Sequence, residues 1–222
     1  MGAKSHLARQ SPHPARRSAS DRKSLGRENT SDSAFTVKPL DQTTWPDFAR
    51  LVEKHNGVWG GCWCMGFHVQ GPEPKPHPPH RGQKERLVRA GSAHAALVYD
   101  GASAVGWCQF GSTDELPGIK LRKAYQEGLT RLPDWRITCF FVDRDYRHRG
   151  VAARALEGAL DQIAQLGGGL VESYPEQVEG RTTSGSFLYN ATLSMFERQG
   201  FKRKRRLGMT HWVVTKLVRA KS

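Results

Sequence analysis

The stretch Ile137-Thr138-Cys139-Phe140-Phe141-Val142-Asp143-Arg144-Asp145-Tyr146-Arg147-His148-Arg149-Gly150-Val151-Ala152 decides the fold. Its first six residues are almost wholly apolar and rich in β formers, which predicts a central strand covered on both faces. From Val151 the pattern changes: Val151, Ala152, Ala155, Leu156, Ala159, Leu160 and Ile163 recur at helical spacing, and Gly167-Gly168-Gly169 closes the helix. Leu170-Val171-Glu172-Ser173-Tyr174 then reads as a strand ended by Pro175. Strand, helix and strand at this distance form a βαβ unit, which requires two parallel neighbours and a right-handed crossover.

Upstream, Ala95 to Tyr99 and Ala104 to Phe110 flank Asp100-Gly101, a hairpin signal because Asp-Gly supplies the positive φ angles of a tight turn. Phe35-Thr36-Val37 reads as a short strand, and Thr44 as the cap of a helix from Trp45 to about His55, stopped by Gly57. Gly57 to Phe67 is dense in Gly, Trp and Cys, and the Pro- and His-rich stretch Gly71 to His80 reads as a long irregular loop. A short helix over Gln83 to Ala90 follows. Ser112 to Arg136 is a polar, basic excursion with weak helical periodicity. Downstream, a helix from about Phe187 to Gln199 with Gly200 as its C′ residue, and two strands near Phe201 to Arg206 and Thr210 to Val218, complete a mixed α+β domain.

The turn between Val142 and Val151 carries the chemistry. The first N–H groups of a helix lack intrahelical partners and sit at the positive end of its dipole, so they can take up a phosphate oxygen. Gly150 lets the backbone come close, Ala152 keeps the first turn unobstructed, and Arg147 and Arg149 add positive charge at the same point.

Arg147-x-x-Gly150-x-Ala152, set between an apolar strand and an amphipathic helix, resembles the pyrophosphate-binding motif of the GNAT superfamily of N-acetyltransferases. Leu193 to Phe201 resembles the late helix of that superfamily, which ends in Gly-Phe. The order of elements from Phe35 to Val218 is similar too, and Gly61-Cys62-Trp63-Cys64-Met65 resembles a segment of one bacterial branch.

The resemblance implies a GNAT-like fold: a mostly antiparallel, splayed sheet with a central parallel βαβ unit and flanking helices. It also implies that acetyl-CoA, as co-substrate, lies between the strands ending at Val142 and Tyr174. Backbone groups of Phe141 and Val142 would pair with the pantetheine arm, and the N–H of Val142 would polarise the thioester carbonyl. Arg147, His148, Arg149, Gly150, Val151 and Ala152 would hold the pyrophosphate, with Asn190 and Phe196 of the late helix beside the cofactor.

Glu172 is the candidate base that would deprotonate the incoming ammonium group, the alternative being a carboxylate that pairs with a basic residue at the sheet end. Phe196 stands where many members have a tyrosine that protonates the leaving thiolate. Tyr189, Ser194 or water would then supply that proton, or the thiolate would leave without one. Cys62-x-Cys64 with His55, His68 or His77 has poor spacing for zinc, so no metal is expected. The loop instead reads as an acceptor site with Trp59, Trp63, Met65 and Phe67 as walls, or as plain core packing. Cys139 reads as a buried packing residue.

Composition narrows the function classes. With 222 residues, one domain is expected over 34–222, preceded by a basic tail over 1–33 too poor in large apolar residues to order. No apolar run approaches membrane length, and four cysteines are too few and scattered for a disulfide framework, so a cytoplasmic enzyme with reduced thiols and no membrane partner is expected. The net charge of +13 lies largely in the tail and in Lys202 to Arg206, without interleaved aromatics, so it reads as solvated surface and a nucleic-acid partner is not expected. The expected activity is transfer of an acetyl group from acetyl-CoA to an amine, on a small molecule or a protein, by direct attack in a ternary complex. The alternative is a non-catalytic acyl-CoA-binding regulatory module of the same fold.

Overall fold

The computed structural model describes residues 1–2, 35–68, 79–180 and 185–221. The chain divides into two units, 1–32 and 33–222, and everything below concerns the second. The expected tail lies outside the described residues apart from its first two, as do residues 71–78 of the expected long loop, His77 among them.

Among the described residues seven strands form one sheet: β1 (Thr36–Pro39), β2 (His94–Asp100), β3 (Ser103–Ser112), β4 (Trp135–Val142), β5 (Gly169–Ser173), β6 (Lys202–Leu207) and β7 (His211–Val218). Their spatial order is β1-β2-β3-β4-β5-β7-β6, antiparallel throughout except for the parallel pair β4/β5. Among the described residues five α-helices accompany the sheet: α1 (Trp45–Lys54), α2 (His80–Arg89), α3 (Arg122–Glu127), α4 (Val151–Gln165) and α5 (Leu193–Arg198).

Alternation along each strand assigns the two faces. Ala96 and Val98 pack with α4 residues such as Ala155, Leu156 and Ile163. Ala95, Leu97 and Tyr99 pack on the other side with Phe48, Leu51 and Val52 of α1. α4 is the crossover of the βαβ unit, and eight of its fifteen residues are buried.

In the hairpin Asp100 pairs with Ser103, so the two-residue loop is Gly101-Ala102, with the positive φ (57°) carried by Gly101. Thr44 precedes α1 without capping it: its hydroxyl donates to the Pro39 carbonyl at 2.7 Å and accepts from the Asp41 amide at 2.9 Å. α2 begins at His80 rather than Gln83, because Pro79 is tolerated at a helix start and the His80 ring is tied to the Gly61 carbonyl at 2.9 Å. The polar excursion contains α3, anchored by Tyr125.

The expected helix from Phe187 to Gln199 is instead broken. A 3-10 turn spans Gly185–Asn190, Ala191 adopts a left-handed conformation (φ 57°), and α5 starts only at Leu193. Glu176 causes the break by pairing into it: its amide donates to the Ala191 carbonyl (3.1 Å) and its carbonyl accepts from the Leu193 amide (2.9 Å).

Two irregularities open the middle of the sheet. β4 and β5 pair only over Trp135–Ile137 and Val171–Ser173, and the Ser173 hydroxyl then takes the Ile137 carbonyl at 2.8 Å. Beyond that point β4 runs on to Val142 without a β5 partner. On the β3 side the register shifts, with Gln109 opposite Cys139 and Phe110 opposite Ile137, so Thr138 is the extra residue of a bulge that bends β4 where the strands part.

Candidate active site

The opening between β4 and β5 leads into a cavity of about 640 Å³, within the range of small-molecule sites. Phe140, Phe141 and Val142 form its floor, and Tyr146, Arg147, His148 and Gly150 to Ala153 one end. Leu188, Ala191, Thr192, Met195 and Arg198 make the wall where β5 would have continued, with His55, Val58 and Trp59 on the remaining side.

At the turn, Gly150 is the N-cap of α4 with φ 80°, a left-handed conformation that favours glycine, and an added Cβ would meet no atom within 4 Å. The first helical bond runs from the Arg154 amide to the Gly150 carbonyl (3.0 Å). The amides of Val151, Ala152 and Ala153 therefore have no intrahelical partner, and all three residues line the cavity. His148 is left-handed too (φ 61°), an uncommon state for a residue with a Cβ. With Arg147, His148 and Arg198 around it, this end is a cradle for an anion.

The floor follows from the ladder. The Asp143 amide donates to the Val105 carbonyl at 2.9 Å, and Gly106 lies opposite Val142 and Trp107 opposite Phe141. Because residues of an antiparallel pair alternate between bonded and non-bonded positions, Phe141 exchanges its backbone bonds with Trp107. The N–H groups of Phe140 and Val142 point away from β3 into the opening. The Phe141 backbone groups expected to meet the pantetheine are thus spent in the sheet, and its ring lines the cavity instead. That ring stacks on Trp107 (4.7 Å between centroids) and meets His55 (4.9 Å) and Trp59 (5.9 Å).

His55 and Trp59 reach the cavity because the chain turns sharply after α1. Asn56 and Gly57 are both left-handed (φ 52° and 77°), and a Cβ on Gly57 would come within 2.7 Å of the Gly61 Cα. The His55 Nε2 lies 3.4 Å from the Asp143 Oδ2, an oxygen that also takes the Lys54 ammonium at 2.6 Å. Burial raises the Asp143 pKa, but the bonds from Lys54 and the Asp145 amide, with the nearby His55, outweigh it and hold the carboxyl below the usual range.

Of the residues expected from sequence, Phe141, Val142, Arg147, His148, Gly150, Val151 and Ala152 line this one cavity. Four others stand elsewhere. Arg149 leans over the rings of Tyr146 (4.9 Å) and Phe35 (5.4 Å). Asn190 is buried and donates to the Tyr174 carbonyl at 3.2 Å. Phe196 is fully buried between Phe140 (5.9 Å) and Phe201 (4.9 Å) and does not line the cavity. Glu172, the expected base, sits on the closed end of the β4/β5 pair opposite Arg136, where its Oε1 accepts from the Tyr125 and Tyr174 hydroxyls, both at 2.7 Å.

Of the four side chains expected as walls from the Cys/Trp loop, Trp59 lines the cavity, whereas Trp63, Met65 and Phe67 are buried in the α1-side core. Cys64 and the equally buried Cys139 approach to 2.8 Å between sulfurs, and Trp107 Nε1 donates to Cys64 at 3.2 Å. The half-buried His68 and the buried Lys84 form a polar pair that the sequence did not signal. The Lys84 Nζ, 1% exposed, lies 2.6 Å from Gln109 Oε1 and 3.0 Å from His68 Nε2. Burial lowers Lys84 to about 8, partly offset by the nearby thiols, and burial with the Lys84 charge lowers His68 to about 2, so the imidazole is neutral and accepts. Among the described residues no group of three or more His, Cys, Asp or Glu could hold a metal ion, and no helix is long and apolar enough to cross a membrane.

Comparison with known proteins adds to this geometry. No curated protein sequence matches the chain. The fold is similar to that of the ribosomal-protein-S18-alanine N-acetyltransferase from Escherichia coli (10% identity, TM-score 0.45), with 85% of this chain and 96% of that one covered. It is also similar to an N-acetyltransferase from Staphylococcus aureus (14% identity, TM-score 0.45, 85% and 100% covered). An acetyltransferase from Thermus thermophilus gives 13% identity and a TM-score of 0.44, with 82% and 96% covered. A sequence model described as "Acetyltransferase (GNAT) family" matches residues 49–177, a span from within α1 to beyond β5 that contains the cradle and the opened strand. Since that match covers more than half of the 222 residues, the chain belongs to the Acetyltransferase (GNAT) family.

Proposed function

We propose that this protein transfers an acetyl group from acetyl-CoA to the primary amine of a small molecule or protein, by direct attack in a ternary complex. One observation carries the reading: a single cavity joins three unpartnered helix-start amides to an outward-pointing strand amide, and then to an aromatic wall. Those three features suit, in order, a pyrophosphate, a thioester carbonyl and an acceptor.

The amides of Val151, Ala152 and Ala153, with Arg147, His148 and Arg198, would hold the pyrophosphate of the co-substrate. The opened edge of β4 offers the backbone groups of Phe140 and Val142 to an extended, amide-bearing arm, as an added strand would use them. The Val142 N–H is fixed before reaction and excluded from the ladder, so it can stabilise charge that develops on the carbonyl oxygen without reorganisation. The acceptor would enter past Trp59, with the Phe141 ring beneath it. When the carbon–nitrogen bond forms and the carbon–sulfur bond breaks, the thiolate leaves beside the cationic end of the cavity. Four free thiols fit a cytoplasmic setting.

The non-catalytic alternative rests on Phe196, which lacks the hydroxyl that would protonate the leaving thiolate and whose buried ring does not line the cavity. The deciding experiment is amine-dependent release of free CoA from acetyl-CoA, with mass-spectrometric detection of the acetylated product, across primary amines and peptide N-termini. Release with product supports transfer. A protein that binds acetyl-CoA yet acetylates nothing in the panel speaks for the binding module.

A further inference from the structure

With Glu172 committed to two tyrosines, the proposed transfer lacks a base, and the cavity contains one on its acceptor side. His55 is the titratable side chain that lines the cavity together with Trp59 and the Phe141 ring. Its Nε2 is buried and lies 3.4 Å from the Asp143 Oδ2, and it makes no hydrogen bond among the described residues. Nδ1 takes no hydrogen bond among the described residues.

Asp143 is 3% exposed and held rigidly. Lys54 bonds its Oδ2, the Asp145 amide bonds its Oδ1 at 3.2 Å, and its own amide is fixed to Val105. Asp143 also immediately follows Val142. One residue thus supplies the amide that stabilises the oxyanion, and the next orients the imidazole.

We propose that His55 is the general base of this enzyme and that Asp143 is its positioning residue. The inference rests on the acetyl-transfer reading above. An ionised Asp143 favours the tautomer with the proton on Nε2, which leaves the Nδ1 lone pair for the substrate. Contacts of this kind are often long before substrate binds and tighten afterwards. The Nδ1 lone pair takes one proton from the incoming ammonium, and the free amine attacks the thioester carbon. The carbonyl π pair moves to oxygen under the Val142 amide, then returns as the carbon–sulfur bond breaks. The second nitrogen proton goes to the thiolate, giving the amide and CoA thiol, and the imidazolium, stabilised by Asp143, returns its proton to solvent. The charged groups facing His55 are Asp143 and, on the same oxygen, Lys54. Asp145 lies 3.5 Å from Lys54, and Tyr146, Arg147 and His148 line the same cavity from the turn.

The test has two arms. With an amine that gives turnover in the panel, His55→Gln should lower kcat about 10²- to 10⁴-fold, abolish the acid limb of the pH–rate profile, and keep the melting shift with acetyl-CoA. Asp143→Asn should lower kcat less. In the unmutated protein, ¹⁵N imidazole NMR should show neutral His55 protonated at Nε2, a readout independent of acceptor and of any folding defect in a variant. A His55→Gln enzyme within twofold of wild type with the same acid limb overturns the dyad while leaving the transfer reading standing, and neutral His55 protonated at Nδ1 overturns it as well. Wild-type protein that acetylates no amine fails the transfer reading itself, and the dyad with it.

Discussion

The Asp143 amide donates to the Val105 carbonyl at 2.9 Å, and that bond determines which way the amide of Val142 points. One residue earlier or later, the N–H belongs to the β3/β4 ladder. At Val142 it faces the cavity.

Substitution by proline separates these two situations, because proline removes the N–H. Val142→Pro should fold, since no ladder bond is lost, and should lower kcat about 10²- to 10³-fold, the loss that accompanies removal of an oxyanion donor. Phe141→Pro should fail earlier, with a melting temperature several degrees lower, because it deletes a bond to Trp107 inside the sheet. Circular dichroism melts and CoA-release rates on the two variants decide it. Equal turnover in Val142→Pro and wild type would remove the oxyanion role.

Glu172 is tied into the closed end of the sheet. It is buried opposite Arg136, with its Oε1 shared by Tyr125 and Tyr174. Glu172→Gln should therefore leave kcat within about twofold of wild type and cost about 1–3 kcal/mol of stability as the charged acceptor is lost. Thermal denaturation beside the CoA-release assay measures both. A loss of turnover without a loss of stability would return Glu172 to the reaction.

Burial of Lys84 makes stability depend on pH in a stated direction. Its folded-state value is about 8 against an ordinary 10.5, so below 8 both states carry the proton and the cost of burying charge is borne in full. Between 8 and 10.5 the unfolded chain binds more protons, and the folded state gains as pH rises. The gain is on the order of 3 kcal/mol for a shift of this size. Cys108 and Cys139, whose burial raises their thiols, work in the opposite direction above about 9, so the comparison must be with Lys84→Met. Urea unfolding from pH 7.5 to 10.5 should show wild type gaining on the variant across that window. A constant difference would mean that Lys84 is not buried as a cation.

The parts of this fold legible in sequence were those whose signal is local. A wholly apolar run followed by an amphipathic helix named β4 and α4, and the turn between them named Gly150 and its neighbours, because burial on two faces and on one face leave different patterns. Choices that depend on register were not legible. The bulge at Thr138 displaces the pairing by one residue, and whether Phe141 or Val142 faces the opening turns on that displacement. Glu172 could not be assigned a face without Tyr125, which comes from a polar excursion with little pattern of its own. His55 met Asp143 only through the left-handed turn at Asn56 and Gly57, and no spacing in the chain links the two. The break at Ala191 was hidden because Glu176, which causes it, pairs from outside the helix.

The central claim is that acetyl-CoA lies in this cavity with its pyrophosphate on the start of α4, and Gly150→Asp tests it most directly. The added side chain projects into open space where the anion would sit, and its charge repels phosphate. Asp at φ 80° carries some backbone strain, so Gly150→Asn, which shares that strain without the charge, is measured alongside, and both must be shown folded by circular dichroism. In wild type, acetyl-CoA at about 100 times its Kd should stabilise the fold by about 2.7 kcal/mol, a melting shift of roughly 5–10 °C for a domain of this size. Folded Gly150→Asp should show almost none of that shift, and a folded variant that keeps all of it would contradict the account.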